Sequence, residues 1–148
     1  MGLLGGLLGE RSTRVGLFVD GPNVLRDEFD VDLDDLRDIA EEDGPLAITR
    51  LYLDEHATPK LIQAAEARGY DVVTTSGDVD VRLAVDATAA VTKGSIDVLV
   101  IASRDADFKP VIERAAEEGL RTVAIAPGAY GRSDALRNAA QHAVTMEN

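Results

Sequence analysis

The sequence predicts a single α/β domain, a mostly parallel central sheet with helices on both faces. Three observations carry that expectation. Residues 15–19 and 98–102 are uninterrupted apolar runs, the pattern of strands buried on both faces. Strand-like runs alternate with helical stretches of about 10–15 residues, the spacing of parallel crossover units. The chain has 148 residues, enough for one good core.

The first strand is expected over 15–19, closing with Asp20-Gly21-Pro22-Asn23, which is turn chemistry. Over 32–42, apolar residues at 33, 36, 39 and 40 keep a helical spacing. Asp32, Asp34 and Asp35 favour the N-terminus of that helix through its dipole, and Gly44-Pro45 stops it. A second strand is expected over 46–53. Thr58 and Pro59 supply a cap and first turn for a helix reaching Ala67, closed by Gly69. A short third strand follows over 70–75. The stretch 79–93 reads as a longer helix ended by Gly94, before a central strand over 96–102. Next come a helix over 107–118 with Gly119 after it, a fifth strand over 120–126, a last helix over 133–142 and a short edge strand over 143–145. There is no internal repeat, low-complexity segment or interdomain linker. Residues 1–13 are expected to form a flexible tail, and 14–148 the domain.

Composition narrows the chemistry. No cysteine is present, which excludes disulfides and thiolate metal sites, and with only His56 and His142 zinc is disfavoured. Both histidines stand alone and read as structural. The apolar part of the N-terminal segment is too short to span a bilayer, and no basic residues precede it as in a secretory signal. Position 6 is Gly, so the myristoylation pattern fails. The expected location is the cytoplasm, with no membrane insertion. Neither a P-loop nor a GxGxxG pattern occurs, so no organic cofactor is expected.

Two acidic ends stand out. Ser103-Arg104-Asp105-Ala106-Asp107-Phe108 follows the central strand, as Asp20 to Asn23 follow the first. In parallel α/β sheets, ligands bind beyond the carboxyl ends of the strands where strand order reverses. If these two strands are neighbours, Asp20, Asn23, Asp105 and Asp107 meet at one sheet edge. Helix capping explains one such carboxylate, but less readily several. Carboxylates about 5 Å apart repel by roughly 3 kcal/mol at an effective dielectric near 20. A cation or a proton relieves this, and hard oxygen ligands suit Mg²⁺ or Mn²⁺. Asp80 and Asp86 form a third acidic group on the 79–93 helix, about 120° apart around its axis. Asp80 has capping as its plainest reading. Asp86, on an Ala-rich stretch, needs a partner if buried. Both are candidate metal ligands. Arg82 and Arg104 are candidates to hold a substrate phosphate or to neutralise the acids. Lys93 and Lys109 read as solvated surface, and Tyr52 and Tyr70 as packed side chains.

Together these segments resemble the NYN domain family, a branch of the PIN-like nucleases, from about residue 15 to about residue 144. The matching residues are Phe18-Val19-Asp20-Gly21-Pro22-Asn23, then Val79-Asp80-Val81 with Leu83-Ala84-Val85-Asp86, then Ser103 to Phe108 with Pro110. The resemblance implies a PIN-like Rossmannoid fold and metal-dependent hydrolysis of RNA. By it, Asp20, Asp80, Asp105 and Asp107 are the acidic metal site, Asn23 its polar support and Ser103 the small hydroxyl residue before the acidic pair. Asp20 and Asp105 are expected to touch the ion, with Asp80 and Asp107 completing the site. The chain departs from the pattern at Gly77 and Asp78, where relatives often carry Lys-Gly, at Arg104, where Gly is common, and around Gln141, where an acid is expected. A catalytically weak or inactive module binding RNA or a protein partner is therefore the competing reading. A receiver or phosphatase using Asp20 as nucleophile is the third. A homo-oligomer is compatible with all three.

The net charge is −12 with pI near 4.4, so there is no broad basic surface to displace counterions from a nucleic acid. The charge is Asp-rich and Lys-poor, with 17 Asp and 12 Arg against 3 Lys. Such a surface suits high intracellular salt, where the Debye length falls to about 3 Å at 1 M. Under those conditions acidity does not exclude a polyanionic substrate. The protein is accordingly expected to lose its fold on dialysis from molar KCl into dilute buffer, read by circular dichroism; indifference to salt would overturn this.

Overall fold

A computed structural model of the protein describes residues 13–26, 31–128 and 134–146. The expected flexible tail, up to residue 12, lies outside them. Six strands alternate with helices in chain order: β1 (Val15–Asp20), α1 (Gly21–Val24), α2 (Leu33–Glu41), β2 (Leu46–Asp54), α3 (Pro59–Ala67), β3 (Asp71–Thr75), α4 (Val79–Thr92), β4 (Val98–Ala102), a 3₁₀ turn (Ala106–Phe108), α5 (Lys109–Glu117), β5 (Arg121–Ala126), α6 (Asp134–Ala139) and β6 (His142–Thr145). Every pairing is parallel, and the sheet order is β3-β2-β1-β4-β5-β6. The order reverses between β1 and β4, which makes their carboxyl ends the switch point.

The buried strands owe their fully apolar sequence to helices on both faces. One face packs Leu17, Val19, Val100 and Ile125 against Leu33 and Leu36 of α2 and Ala65 of α3. The other packs Phe18, Leu99 and Ile101 against Leu83 and Ala87 of α4, Ile112 of α5 and Leu136 of α6. At the amino ends of β1 and β4, Asp97 clamps the two strands: its carboxylate accepts from the Arg14 backbone N–H at 2.8 Å and from the Arg14 guanidinium at 3.2 Å. Tyr52 and Tyr70 are packed, as expected. The Tyr52 ring stacks on Phe18 with centroids 6.5 Å apart, and the Tyr70 hydroxyl donates to the Leu33 carbonyl at 2.7 Å. Among the described residues no helix is long and apolar enough to cross a membrane.

Three local differences from the sequence-based expectation have physical causes. The Asp20-Gly21-Pro22-Asn23 turn is the start of a one-turn helix, because Pro22 sits in its first turn where no N–H is needed. The helix after β4 is preceded by a 3₁₀ turn, since the Asp105 carboxylate takes the Asp107 N–H at 2.9 Å. The last helix stops at Ala139 rather than 142. The Gln141 N–H donates to Thr122 Oγ1 at 3.0 Å, and the chain enters β6 with His142 opposite Val123.

Gly21 is required by close approach. A Cβ there would run into the Tyr52 carbonyl oxygen and the Leu53 side chain. Gly21→Ala is therefore expected to destabilise the protein by about 2 kcal/mol, because backbone must shift. Chemical denaturation measures this, and an unchanged midpoint would contradict the packing.

Candidate metal centre

The switch point is built from two neighbouring strand ends. Val19 pairs with Ala102, so the next residues, Asp20 and Ser103, stand side by side. Both are buried, with Asp20 5% and Ser103 1% exposed. Ser103 Oγ donates to Asp20 Oδ2 at 3.0 Å and accepts the Asp105 N–H at 3.0 Å. One hydroxyl thus ties the end of β1 to the loop after β4. A second tie runs from Asn23 Oδ1, which accepts the Arg104 N–H at 2.7 Å. Asn23 thus holds the start of the 103–107 loop by the Arg104 backbone.

Across the loop lies the first turn of α4. Asp78 occupies the N-cap position and makes no side-chain cap bond, while Asp80 stands in the first turn with Oδ1 on the Val81 N–H at 3.1 Å. Asp80 is therefore not the cap of its helix. Asp80, Asp105 and Asp107 each bring a carboxylate oxygen within 4.8 Å of the other two. Three such oxygens, closing slightly, fit one small divalent cation with ligand distances of roughly 2.0–2.6 Å. Asp80 and Asp105 are half-buried and Asp107 is exposed. The grouping differs from the expected one in the place of Asp20. It is tied to Ser103 beside the trio and lines the same open cleft of about 310 Å³ as Asp80 and Asp105.

Other expected residues are drawn elsewhere. Asp86 does not join the trio. Its Oδ2 accepts from the Tyr52 hydroxyl at 2.8 Å and from Arg82 Nε at 3.1 Å, with Arg50 3.9 Å away. This supplies the partner a half-buried carboxylate on an Ala-rich helix needs, and it occupies Arg82 too. Arg104 turns its Nε toward Asn23 Oδ1 at 3.4 Å. Gln141, His56 and His142 are exposed and outside the cleft.

A family model for the NYN domain matches residues 14–147. The chain belongs to the NYN domain family. It is 43% identical over 134 residues to an uncharacterized protein of Methanocaldococcus jannaschii, covering 90% of this chain and 55% of that one. The chain thus spans about half the length of this curated relative. Its fold is also that of a protein of unknown function from Vibrio parahaemolyticus, with a TM-score of 0.81 at 18% identity over 95% of this chain and 96% of the other.

Two further residues of the NYN domain line the cleft and were missed from the sequence, Asp54 and Arg26. Asp54 ends β2 just as Asp20 ends β1, an apolar run closing in an acid, and that repeated design was the available signal. The cleft is crowded with negative charge. Burial pushes the Asp20 carboxyl up from its ordinary 3.8 to about 6, helped by the charges of Asp105 and Asp80, while hydrogen bonds from the Ser103 hydroxyl and the Asn23 N–H hold it down. The folded state therefore binds this proton more tightly than the unfolded chain, and stability falls as pH rises from about 4 through about 6. Asp20→Asn removes that penalty. In EDTA near pH 8 it is expected to stabilise the protein by up to about 3 kcal/mol, a gain that vanishes below about pH 4. Thermal melts across pH check this; a gain that persists in acid would assign the effect to packing instead.

Proposed function

We propose that this NYN domain is a divalent-metal-dependent nuclease that hydrolyses RNA phosphodiester bonds at its Asp cluster. The observation that carries the reading is the convergence of Asp80, Asp105 and Asp107 at the reversal point of the sheet, with Asp20 beside them. Three hard oxygen donors on rigid element ends suit Mg²⁺ or Mn²⁺ better than any softer ion. Asp80, Asp105 and Asp107 would hold that ion. Once bound, it would supply Lewis-acid stabilisation of the charge that builds on a phosphate and its leaving oxygen.

The remaining roles belong to the chain itself. Asp20 is oriented by Ser103 and the Asn23 N–H, so it presents a carboxylate of fixed direction to the cleft. A carboxylate so placed can align a water molecule for attack on phosphorus and take up its proton. Asn23 and Ser103 position Arg104 and Asp105 through backbone contacts. No side chain need become covalently attached to substrate. A cytoplasmic location accords with an RNA substrate.

One observation favours the competing reading of a catalytically weak module binding RNA or a protein. The cleft carries Asp54 and Asp78 as well as Asp20, Asp80 and Asp105, with Arg26 as the one cation lining it among the described residues. That arrangement gives a phosphate little positive charge to meet until an ion is bound.

The test is cleavage of mixed single-stranded and structured RNA in high KCl with Mg²⁺, Mn²⁺ or EDTA. Metal-dependent products are expected, reduced by about a hundredfold or more in Asp105→Asn and Asp80→Asn. Folded wild-type protein that yields no product with either metal would favour the binding module. Equal products from wild type and both variants would put the reaction outside this cleft.

A further inference from the structure

Helix α4 carries a second polar stripe, well away around its axis from Asp80. Arg82 and Asp86 and, past Ala89, the C-cap residue Lys93 follow one another at helical spacing along it. With Arg50 of β2 and Asp71 of β3 they line a groove of about 500 Å³. Asp86 is already engaged by Tyr52, Arg82 and Arg50. Setting Asp71 and Asp86 against Arg50 and Arg82 leaves exposed Lys93 as a surplus positive charge. In a chain of net charge −12, this is the opposite of the acidic cleft.

Between groove and cleft lies a third hollow of about 540 Å³. Gly77 and Asp78 line both it and the acidic cleft, and Arg82 lines both it and the groove, so the three depressions form one path around α4. On that path stand Val81 and Val85, 56% and 60% exposed, the large apolar side chains left in solvent among the described residues. They lie one turn apart. The path therefore presents, in order, carboxylates, an apolar step and a groove whose surplus charge is that of Lys93.

We propose that this path seats single-stranded RNA, which rests on the nuclease reading and gives its substrate a direction of approach. The scissile phosphate lies at Asp80, Asp105 and Asp107, base faces lie on Val81 and Val85, and a phosphate farther along reaches Lys93, the surplus cation of the groove. From Asp80 to Lys93 the helix advances about 20 Å, which spans several nucleotides. A single strand fits because its bases are free to turn onto an apolar step, whereas those of a duplex are paired and stacked. The low aromatic content, 4%, makes aliphatic contact the available one.

The test is fluorescence anisotropy of labelled single-stranded RNA of three and of twelve nucleotides, in Ca²⁺ and at a salt concentration where circular dichroism shows the protein folded. Wild type is expected to bind the 12-mer more tightly than the 3-mer. Lys93→Glu and Val85→Asp, both at exposed positions, are each expected to weaken 12-mer binding about tenfold, and Lys93→Glu to lower the salt slope by about 0.7. Twelve-mer binding unchanged in both folded variants, or a wild type that binds neither length, overturns the path. Its fate is separable from that of the nuclease reading. Absent cleavage with 12-mer binding lost in Lys93→Glu leaves the path standing and removes the nuclease. Metal-dependent cleavage with a KM unchanged in Lys93→Glu does the reverse.

Discussion

The contact on which the candidate centre depends is the hydrogen bond from Ser103 to Asp20. It joins residues 83 apart in the chain and does so without solvent. Its geometry follows from the β1–β4 register, which sets the two strand ends level. Since the same hydroxyl accepts the Asp105 N–H, the loop carrying Asp105 and Asp107 starts from a fixed point. A serine suits that position because it donates and accepts at once and is small enough to be buried between strand ends. The Arg14–Asp97 clamp sets the same two strands at their other ends, so the register is held from both sides.

Electrostatics divides α4 between two tasks. At its first turn, Asp80 faces other acids, where burial and mutual repulsion already keep a proton on Asp20 to about pH 6. A cation is the natural relief for such a group. Further along, Asp86 is met by Arg82, Arg50 and the Tyr52 hydroxyl, and its charge is spent locally. Two aspartates on one helix thus have opposite surroundings. The proposed ion belongs to the unrelieved one.

Much of the centre was legible in the chain. The runs over 15–19 and 98–102 are apolar throughout, and only strands covered on both faces tolerate that, so a parallel sheet followed. A parallel sheet directs attention to its carboxyl ends, where Asp20, Asn23, Ser103, Asp105 and Asp107 stand. Asp86 was a different matter. Spacing alone puts it about 120° from Asp80, and no local rule says which of the two turns toward the strand ends. Asp54 was passed over because the acid closing β2 gains meaning only when β2 is known to lie beside β1. Lys93 is exposed, as read from the chain, and only the fold shows that Arg50 and Arg82 line the same groove.

The sequence by itself determined the alternation of strands and helices, the parallel sheet with two covered faces, the NYN resemblance and the acids at the switch point. These rest on periodicity, turn chemistry and residue type, which are local properties. The resemblance already grouped Asp80 with Asp105 and Asp107; only the tertiary structure decided that Asp20 is tied to Ser103 beside them, and that Asp86 pairs with Arg82 and Tyr52. Those outcomes depend on how α4 is rotated against the sheet. That rotation is set by packing of Leu83, Ala87 and Ala90 into a face made by distant strands, which no stretch of chain specifies alone.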